Sequence, residues 1–341
     1  MTDRNAKRDG FLAQAGWDAA QIADLAGDAS NRRYFRLTLG TTRGVLMDAP
    51  PDKGEDITPF VHIANILRAA GLSAPRIMAE DRDNGFLLLE DLGDDLFARV
   101  VARDPAQEEA LYTAATDVLI TLHTSAPPTD LAPYDAPTMA ELAGLAFDWY
   151  AWGAIGADVS GQKDRFVAGF TDVLYGLDGL TEVLIQRDYH AENLLWLPDR
   201  QDEARVGLLD FQDAMAGHRA YDLVSLLQDA RRDVSPVIEA QMLDYYVEAT
   251  GVDPAAFTRA YALLGLQRNL RIIGVFARLC MRDGKPHYVD LIPRVRAHMI
   301  RDLKKVELGK LETVLIENVP HPDIGTLEVL KTKCGTIPHP S

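Results

Sequence analysis

The spacing of apolar residues changes along the chain and predicts a β-rich segment followed by a helical one. Short β-prone runs at 33–39 and 45–49 lie on either side of the glycine-bearing turn GTTRG, which predicts a hairpin. Helical spacing over 56–71 follows, and two further strands are predicted at 74–81 and 83–92. The last strand contains the continuous apolar run FLLLE, which is typical of a central strand because both faces are apolar.

The segments on either side are predicted to be mainly helical. Residues 1–26 are expected to form a helix-loop-helix lead-in. From residue 96 onward only two strand-like runs, 182–186 and 205–210, interrupt the helical spacing. The tail beyond residue 308 is expected to be irregular, because proline and glycine recur through it. The predicted helices span 106–124, 139–153, 163–178, 218–232, 236–250, 255–282 and 287–305.

Composition and charge narrow the class of protein. The 341 residues carry a formal net charge of -16, which argues against a nucleic-acid or anionic-membrane surface. The N-terminal residues lack the apolar core of a secretory signal, and no apolar stretch is long enough to span a bilayer, so we expect a cytoplasmic protein. The two cysteines, Cys280 and Cys334, match no ligand spacing. The sequence gives no indication of oligomeric state.

The strongest chemical signal is the polar stretch IQRDYHAENLL, which follows the predicted strand at 182–186. It contains the pattern R-D-x-x-x-x-N, and D-F follows the asparagine seventeen residues later, as in kinases, with Gln186 replacing the usual histidine. Phosphoryl transfer needs an acceptor for the proton of the attacking hydroxyl and hard oxygen ligands for Mg²⁺. We therefore predict that Asp188 is the catalytic base and that Asn193 and Asp210 hold Mg²⁺.

A single Asp or Asn after a strand is more often a turn-former or a helix cap than a ligand. Three such residues in this order, with a β-rich segment before them and a helical one around them, favour the functional interpretation. A metal hydrolase using Asp188, His190 and Asp210 is a weaker alternative, because no second histidine has a ligand-like spacing.

The order of elements and the motif together predict an α+β protein with a bilobal, protein-kinase-like fold. Residues 1–92 would form a small β-rich N-lobe with the lead-in helices, an antiparallel sheet and a nucleotide-binding turn. Residues 93–307 would form a larger, mainly helical C-lobe with the catalytic loop and the acceptor site, and 308–341 a tail of unknown role.

At these motifs the chain resembles the aminoglycoside phosphotransferase family. The stretches GDASNRRYFRL, FLLLEDLGD, QRDYHAENLLWLP and GLLDFQDAMAGHRAYDLVSLLQDARRDV are similar to those of its bacterial anomeric sugar kinases, and the resemblance covers about 9–300. It implies transfer of the γ-phosphate of ATP to the C1 hydroxyl of N-acetylmuramate and/or N-acetylglucosamine, giving an α-1-phosphate in cell-wall recycling. The implied roles of Asp188, Asn193 and Asp210 agree with those predicted from the motif.

One position departs from the family pattern. Many members carry a phosphate-binding lysine on the third strand, where this chain has Met47 and Asp48. Another group must then offset the phosphate charge, and the turn before the hairpin is the nearest source of cations and small polar donors. The hinge after FLLLE would supply backbone groups for adenine. The candidate ATP-binding residues are Ser30, Asn31, Arg32, Arg33, Arg36, Glu90 and Leu92.

The acceptor site is predicted from groups that follow the catalytic motif. A guanidinium is the best partner for the lactyl carboxylate of a muramate, whereas Asp222 heads a helix and could instead cap it or brace the catalytic loop. The predicted substrate-binding residues are His190, Asp213, Arg219 and Arg231.

Two other functions stay open on sequence grounds. An aminoglycoside, choline or homoserine kinase would have the same motif, and the acidic composition suits a cationic acceptor at least as well. A nucleotide-sensing pseudokinase is favoured only by the missing strand lysine, and the complete set of Asp188, Asn193 and Asp210 argues against it.

Overall fold

A computed structural model of the protein describes residues 2–25 and 31–338. The chain divides into two compact units. The first unit contains the residues up to Leu122 and also Ala191–Ala214, and the second contains His123–His190 and the residues from Met215 onward. The boundary that the sequence predicted at residue 92 stays a prediction.

The first unit is built on a five-stranded antiparallel sheet with the order β1-β2-β3-β5-β4. Phe35 pairs with Leu46, and Leu46 with Leu88, so large apolar side chains from three strands align on one face. Phe11 and Leu12 of the first helix pack against this face and close a hydrophobic core. The strands are β1 (Gln21–Leu25), β2 (Arg33–Leu39), β3 (Thr42–Asp48), β4 (Ile77–Asp81) and β5 (Phe86–Glu90).

Helices and a short hairpin complete the first unit. The hairpin pairs Leu194 with Leu208, and both side chains are buried. The same unit holds Phe211, which packs against Phe60 with ring centroids 4.9 Å apart. The elements are α1 (Thr2–Gln14), α2 (Thr58–Ala69), α3 (Phe97–Arg103), α4 (Glu108–Leu122), β7 (Leu194–Trp196) and β8 (Val206–Leu208).

The second unit is mainly helical and is organised around one long helix, α10 (Pro254–Met281). Asp253 caps its N-terminus by accepting a hydrogen bond from the backbone N–H of Ala256. Most of α10 is buried, because other helices pack on several of its sides. The other elements are α5 (Ala136–Leu145), a π-helical turn (Ala146–Ala151), α6 (Trp152–Ile155), α7 (Ser160–Tyr175), β6 (Val183–Ile185), β9 (Met215–Gly217), α8 (Ala220–Leu227), α9 (Pro236–Thr250), α11 (Ile292–Leu303), α12 (Lys310–Asn318) and α13 (Ile324–Thr332).

The structure confirms the hairpin of β2 and β3, and it corrects three predictions. The second lead-in helix is wrong, because Gln21–Leu25 forms the edge strand β1 and its backbone pairs with β2. Strands β7 and β9 were missed; each is three residues long and is defined by its pairing with β8 and β6, respectively. The tail is not irregular but contains α12 and α13, whose Leu315 and Leu330 are buried. No helix in the described ranges is both long and apolar enough to cross a membrane.

Candidate active site

Asp188 lies in a tight turn that begins where strand β6 ends. Its backbone N–H donates to the carbonyl of Gln186 at 2.9 Å, and Arg187 has a φ of 71°, in the left-handed region. The carboxylate of Asp222 accepts the backbone N–H groups of Gln186 at 2.7 Å and Arg187 at 2.9 Å. Asp222 therefore braces the turn that carries Asp188, which is one of the two roles considered for it.

The surroundings of Asp188 favour its ionised form. Burial raises the pKa of this carboxyl, but the charges of Arg271, His190, Arg268 and Arg187 outweigh burial and hold the pKa below its usual value. Asp188 is thus a carboxylate at neutral pH and is able to accept a proton from a hydroxyl group.

Two of these groups, Arg268 and Arg271, lie on the long helix α10 and were not among the predicted site residues. Arg268 donates to the Ser225 hydroxyl at 2.9 Å, and that hydroxyl donates to the carbonyl of Arg187 at 3.2 Å. Arg271 donates to the Tyr221 hydroxyl at 3.2 Å. The sequence did contain a signal for them, because the two arginines lie three positions apart in an otherwise apolar helical stretch. Arginines in such a stretch need partners when they are buried.

The structure brings the predicted residues His190 and Arg231 together. The Nη1 of Arg231 donates to the Nε2 of His190 at 3.2 Å, and the imidazole is buried. Burial lowers the pKa of His190 to about 4, although the charge of Asp229 opposes this. His190 is therefore a neutral imidazole at physiological pH, with its Nε2 acting as a hydrogen-bond acceptor.

The other two predicted substrate residues have different surroundings. The guanidinium of Arg219 forms an ion pair with Glu182 and lies beside the Tyr246 hydroxyl. Asp213 is exposed and belongs to the first unit, whereas His190, Arg219 and Arg231 belong to the second. The predicted substrate set is thus divided between the two units.

Asn193 and Asp210 lie at one end of the hairpin formed by β7 and β8. The backbone N–H of Leu209 donates to the Asn193 carbonyl at 3.0 Å, which links the residue before β7 to the residue after β8. The Nδ2 of Asn193 lies 3.4 Å from the Oδ2 of Asp210, and Gln212 donates to the Oδ1 of Asp210 at 2.7 Å. Asp210 has a φ of 56°, so a sharp turn follows the strand. The hairpin therefore places the two predicted metal ligands side by side.

An amide oxygen and a carboxylate fit Mg²⁺, which prefers hard oxygen donors and usually retains several waters. Over the described ranges, no group of three or more His, Cys, Asp or Glu side chains could hold a metal. A pair of oxygen donors that relies on phosphate and water for its remaining ligands is consistent with this result.

The cations predicted to bind ATP are largely engaged with acidic side chains. Arg32 forms an ion pair with Glu55 at 2.8 Å, and Asn31 donates its backbone N–H to the same carboxylate at 2.9 Å. Arg33 is exposed, with its guanidinium 5.2 Å from the ring centroid of Phe35. Ser30 lies outside the described residues.

Arg36 of β2 is held by two acids that follow β5. Its guanidinium lies 2.8 Å from Asp91 and 2.7 Å from Asp94. The residues at the position of the missing lysine have structural contacts. Met47 is buried, and Asp48 forms an ion pair with Arg4 of α1. Arg36 is thus a cation held on the strand next to β3.

The side chains of the predicted adenine-binding segment face protein partners. Glu90 accepts the Nη2 of Arg200 at 2.8 Å and the backbone N–H of Arg76 at 3.2 Å. Leu92 is buried and lies close to Gly207 of β8.

Comparison with known proteins identifies the family. The sequence model of the phosphotransferase enzyme family matches residues 21–261 of this chain. The chain belongs to this family, and the protein is accordingly an enzyme that transfers a phosphoryl group to a small molecule. The N-acetylmuramate/N-acetylglucosamine kinase of Caulobacter vibrioides is 38% identical over 87% of this chain and 92% of its own length. The kinase of the same name from Pseudomonas aeruginosa is 37% identical over 88% and 91%, respectively.

A solved structure supports the fold. Choline kinase LicA from Streptococcus pneumoniae matches with a TM-score of 0.59 and 11% identity, covering 88% of this chain and all of that one. At this identity the likeness concerns the fold alone. The comparisons confirm the predicted family, the α+β protein-kinase-like fold class and the prediction of an enzyme.

Proposed function

We propose that the protein is an ATP-dependent sugar kinase acting on N-acetylmuramate and/or N-acetylglucosamine. Phosphorylation would occur at the anomeric C1 hydroxyl and give the α-1-phosphate, as a step in cell-wall recycling. The observation that carries the proposal is the identity of 37% and 38% to two kinases named for these sugars, over nearly nine-tenths of the chain.

In this proposal Asp188 is the catalytic base. Its carboxylate, kept ionised by Arg271 and the neighbouring charges, accepts the proton of the attacking hydroxyl as that oxygen bonds to the γ-phosphorus of ATP, while the bond from this phosphorus to the β–γ bridging oxygen breaks and ADP leaves. Asp222 fixes the backbone of the turn and so orients Asp188. Catalysis then depends mainly on positioning and electrostatics, because phosphoryl transfer needs little covalent participation from the protein.

Asn193 and Asp210 would hold Mg²⁺ through the amide oxygen and the carboxylate. When bound, Mg²⁺ supplies positive charge to the phosphate oxygens of ATP. The pairing of these residues at one end of the hairpin supports this role.

Arg36 is a candidate to replace the strand lysine because it lies on β2, beside the strand where that lysine would lie, and Asp91 and Asp94 fix its position. Arg32, Arg33, Asn31 and Ser30 are the other candidates for phosphate. Backbone groups at Glu90 and Leu92 would meet adenine, although the Glu90 N–H already donates to the Arg76 carbonyl at 2.9 Å.

For the acceptor, His190 and Arg231 are the favoured residues. They are bonded to each other, and His190 contributes to the electrostatic surroundings of Asp188. Arg231 would meet the lactyl carboxylate of N-acetylmuramate. Arg219, which is paired with Glu182, and Asp213 stay further candidates for the acceptor.

The test is an ATP-consumption screen with N-acetylmuramate, N-acetylglucosamine, kanamycin, choline and homoserine as acceptors. Phosphorus NMR would identify the phosphorylated position. We expect turnover with at least one amino sugar and an α-1-phosphate product. A 6-phosphate, or turnover only with kanamycin, choline or homoserine, would contradict the proposal.

The metal role can be tested by calorimetry. Asp210→Ala should abolish Mg²⁺-dependent ATP binding, because one of the two protein oxygen ligands is lost. Asp199→Ala is the matched control, since Asp199 is an exposed carboxylate in the loop of the same hairpin. Retained metal-dependent binding in Asp210→Ala would remove this residue from the metal site.

A further inference from the structure

Asp229, just beyond the end of α8, is a buried carboxylate whose hydrogen bonding is incomplete. The residue is 1% exposed. Its Oδ1 accepts the backbone N–H of Arg231 at 2.8 Å, but within the described residues its buried Oδ2 has no hydrogen-bond partner. Buried polar atoms in native proteins are nearly always paired, and an unpaired buried carboxylate oxygen is particularly costly. Among the described residues, this oxygen therefore has an unused capacity to accept a hydrogen bond.

The electrostatic surroundings place Asp229 near the proposed catalytic base. The charge of Asp229 acts on His190 and on Arg268, and the charge of Asp188 acts on the same two groups. The two carboxylates thus share neighbours. All four residues belong to the second unit, so this cluster is formed within one compact body.

The nearby guanidinium groups make bonds to other atoms. Arg268 donates to the Ser225 hydroxyl at 2.9 Å and is 3.5 Å from the Gln228 carbonyl oxygen. Arg231 donates to His190 at 3.2 Å. The cations therefore lower the cost of burying Asp229 by their charge, while its Oδ2 keeps its capacity to accept a hydrogen bond.

We propose that Asp229 is a specificity-determining residue whose Oδ2 accepts a hydrogen bond from an O–H or N–H group of the acceptor, close to the hydroxyl that is phosphorylated. The inference rests on the proposed function, in which the acceptor is an amino sugar. Such a sugar offers several hydroxyls and an acetamido N–H, all of which are donors. Because both candidate sugars share most of these groups, Asp229 serves either of them.

The test compares Asp229→Asn with the matched control Asp233→Asn. Asp233 lies four positions further on and is an exposed carboxylate paired with Arg294. In Asp229→Asn we expect kcat/KM for the amino sugar to fall about 10- to 100-fold, the range for losing a hydrogen bond to a charged group. KM for ATP should change less than about twofold, which is a smaller effect on binding than the loss of one hydrogen bond would have. The control should match the wild type in both constants.

A second measurement separates this role from a structural one. Asparagine has nearly the same size as aspartate, and its amide oxygen can still accept the backbone N–H of Arg231, so the urea midpoint of the ligand-free protein should change little. A purely structural Asp229 predicts the opposite pair of results, a lower midpoint with an unchanged KM for the sugar. Either that pattern or a variant that does not fold would overturn the inference.

Monodeoxy and deacetylated analogues of the sugar identify the group bound. We expect one position at which removing the donor costs the wild type about tenfold or more in kcat/KM, and costs Asp229→Asn almost nothing. If every position costs both proteins equally, the inference fails while the proposed function stands. If the wild type phosphorylates neither amino sugar, the proposed function fails and the inference falls with it.

Discussion

The buried carboxylate of Asp302 provides a test of the electrostatics inside the second unit. It is fully buried, and its oxygens accept the side-chain amides of Gln228 at 3.2 Å and Asn269 at 3.4 Å. Burial raises the pKa of Asp302 from 3.8 to about 7, although the charge of Arg301 opposes this. The carboxyl therefore keeps its proton in the folded protein over a pH range in which the unfolded chain has lost it.

The sign of the pH dependence follows from this difference. Between about pH 4 and pH 7 the folded state binds more protons at Asp302 than the unfolded state, so this residue makes the protein less stable as the pH rises. The stabilisation from Asp302 is fully present below the pKa that this carboxyl has in the unfolded chain. It is lost as the pH rises through the pKa of the same carboxyl in the folded protein. A difference of about three pKa units corresponds to about 4 kcal/mol of unfolding free energy.

The perturbation is Asp302→Asn, which keeps the size of the side chain and removes its titration. Urea unfolding at pH 4.5, 6 and 8 would give the free energy of the wild type and the variant at each pH. We expect the stability of the variant relative to the wild type to rise by about 3–4 kcal/mol between the lowest and highest pH, because only the wild type loses the contribution of Asp302.

The variant must be compared with the wild type at each pH, because other groups also titrate over this range. Asp244→Asn, at an exposed position on α9, should follow the wild type at every pH. A constant difference between Asp302→Asn and the wild type, or one that falls with pH, would refute the reasoning.

Three further predictions concern the turn that carries Asp188. Asp188→Asn should lower kcat by at least about a hundredfold while the protein stays folded at the assay temperature, since a base contributes about 10²–10⁴ in rate; near-normal turnover would exclude it as the base. Arg271→Met should raise the pKa of Asp188, so the acid limb of the kcat/KM profile should move to higher pH, and an unmoved limb would show that this charge does not act on the base. Asp222→Ala should lose about 2–6 kcal/mol of unfolding free energy, because two backbone N–H groups lose their acceptor; a loss below about 1 kcal/mol by urea unfolding would contradict the bracing role.

Elements with a strong local pattern could be predicted from the sequence. The hairpin of β2 and β3 follows from two β-prone runs across a glycine turn, and the long helix α10 from sustained helical spacing. Strand β9 and the edge strand β1 were not predicted, because each forms by pairing its backbone with another strand, β6 and β2 respectively. The tail helices α12 and α13 likewise depend on burial of single leucines.

The candidate site divides in the same way. The sequence by itself identified the candidates Asp188, Asn193 and Asp210, because they follow predicted strands at the spacing of a recognisable motif. Only the tertiary structure decided what surrounds Asp188. The arginines of α10 and the carboxylates of Asp222 and Asp229 come from distant parts of the chain, and helix packing brings their charges to one turn. Long-range packing leaves no local pattern in the sequence, so those residues emerged only with the fold.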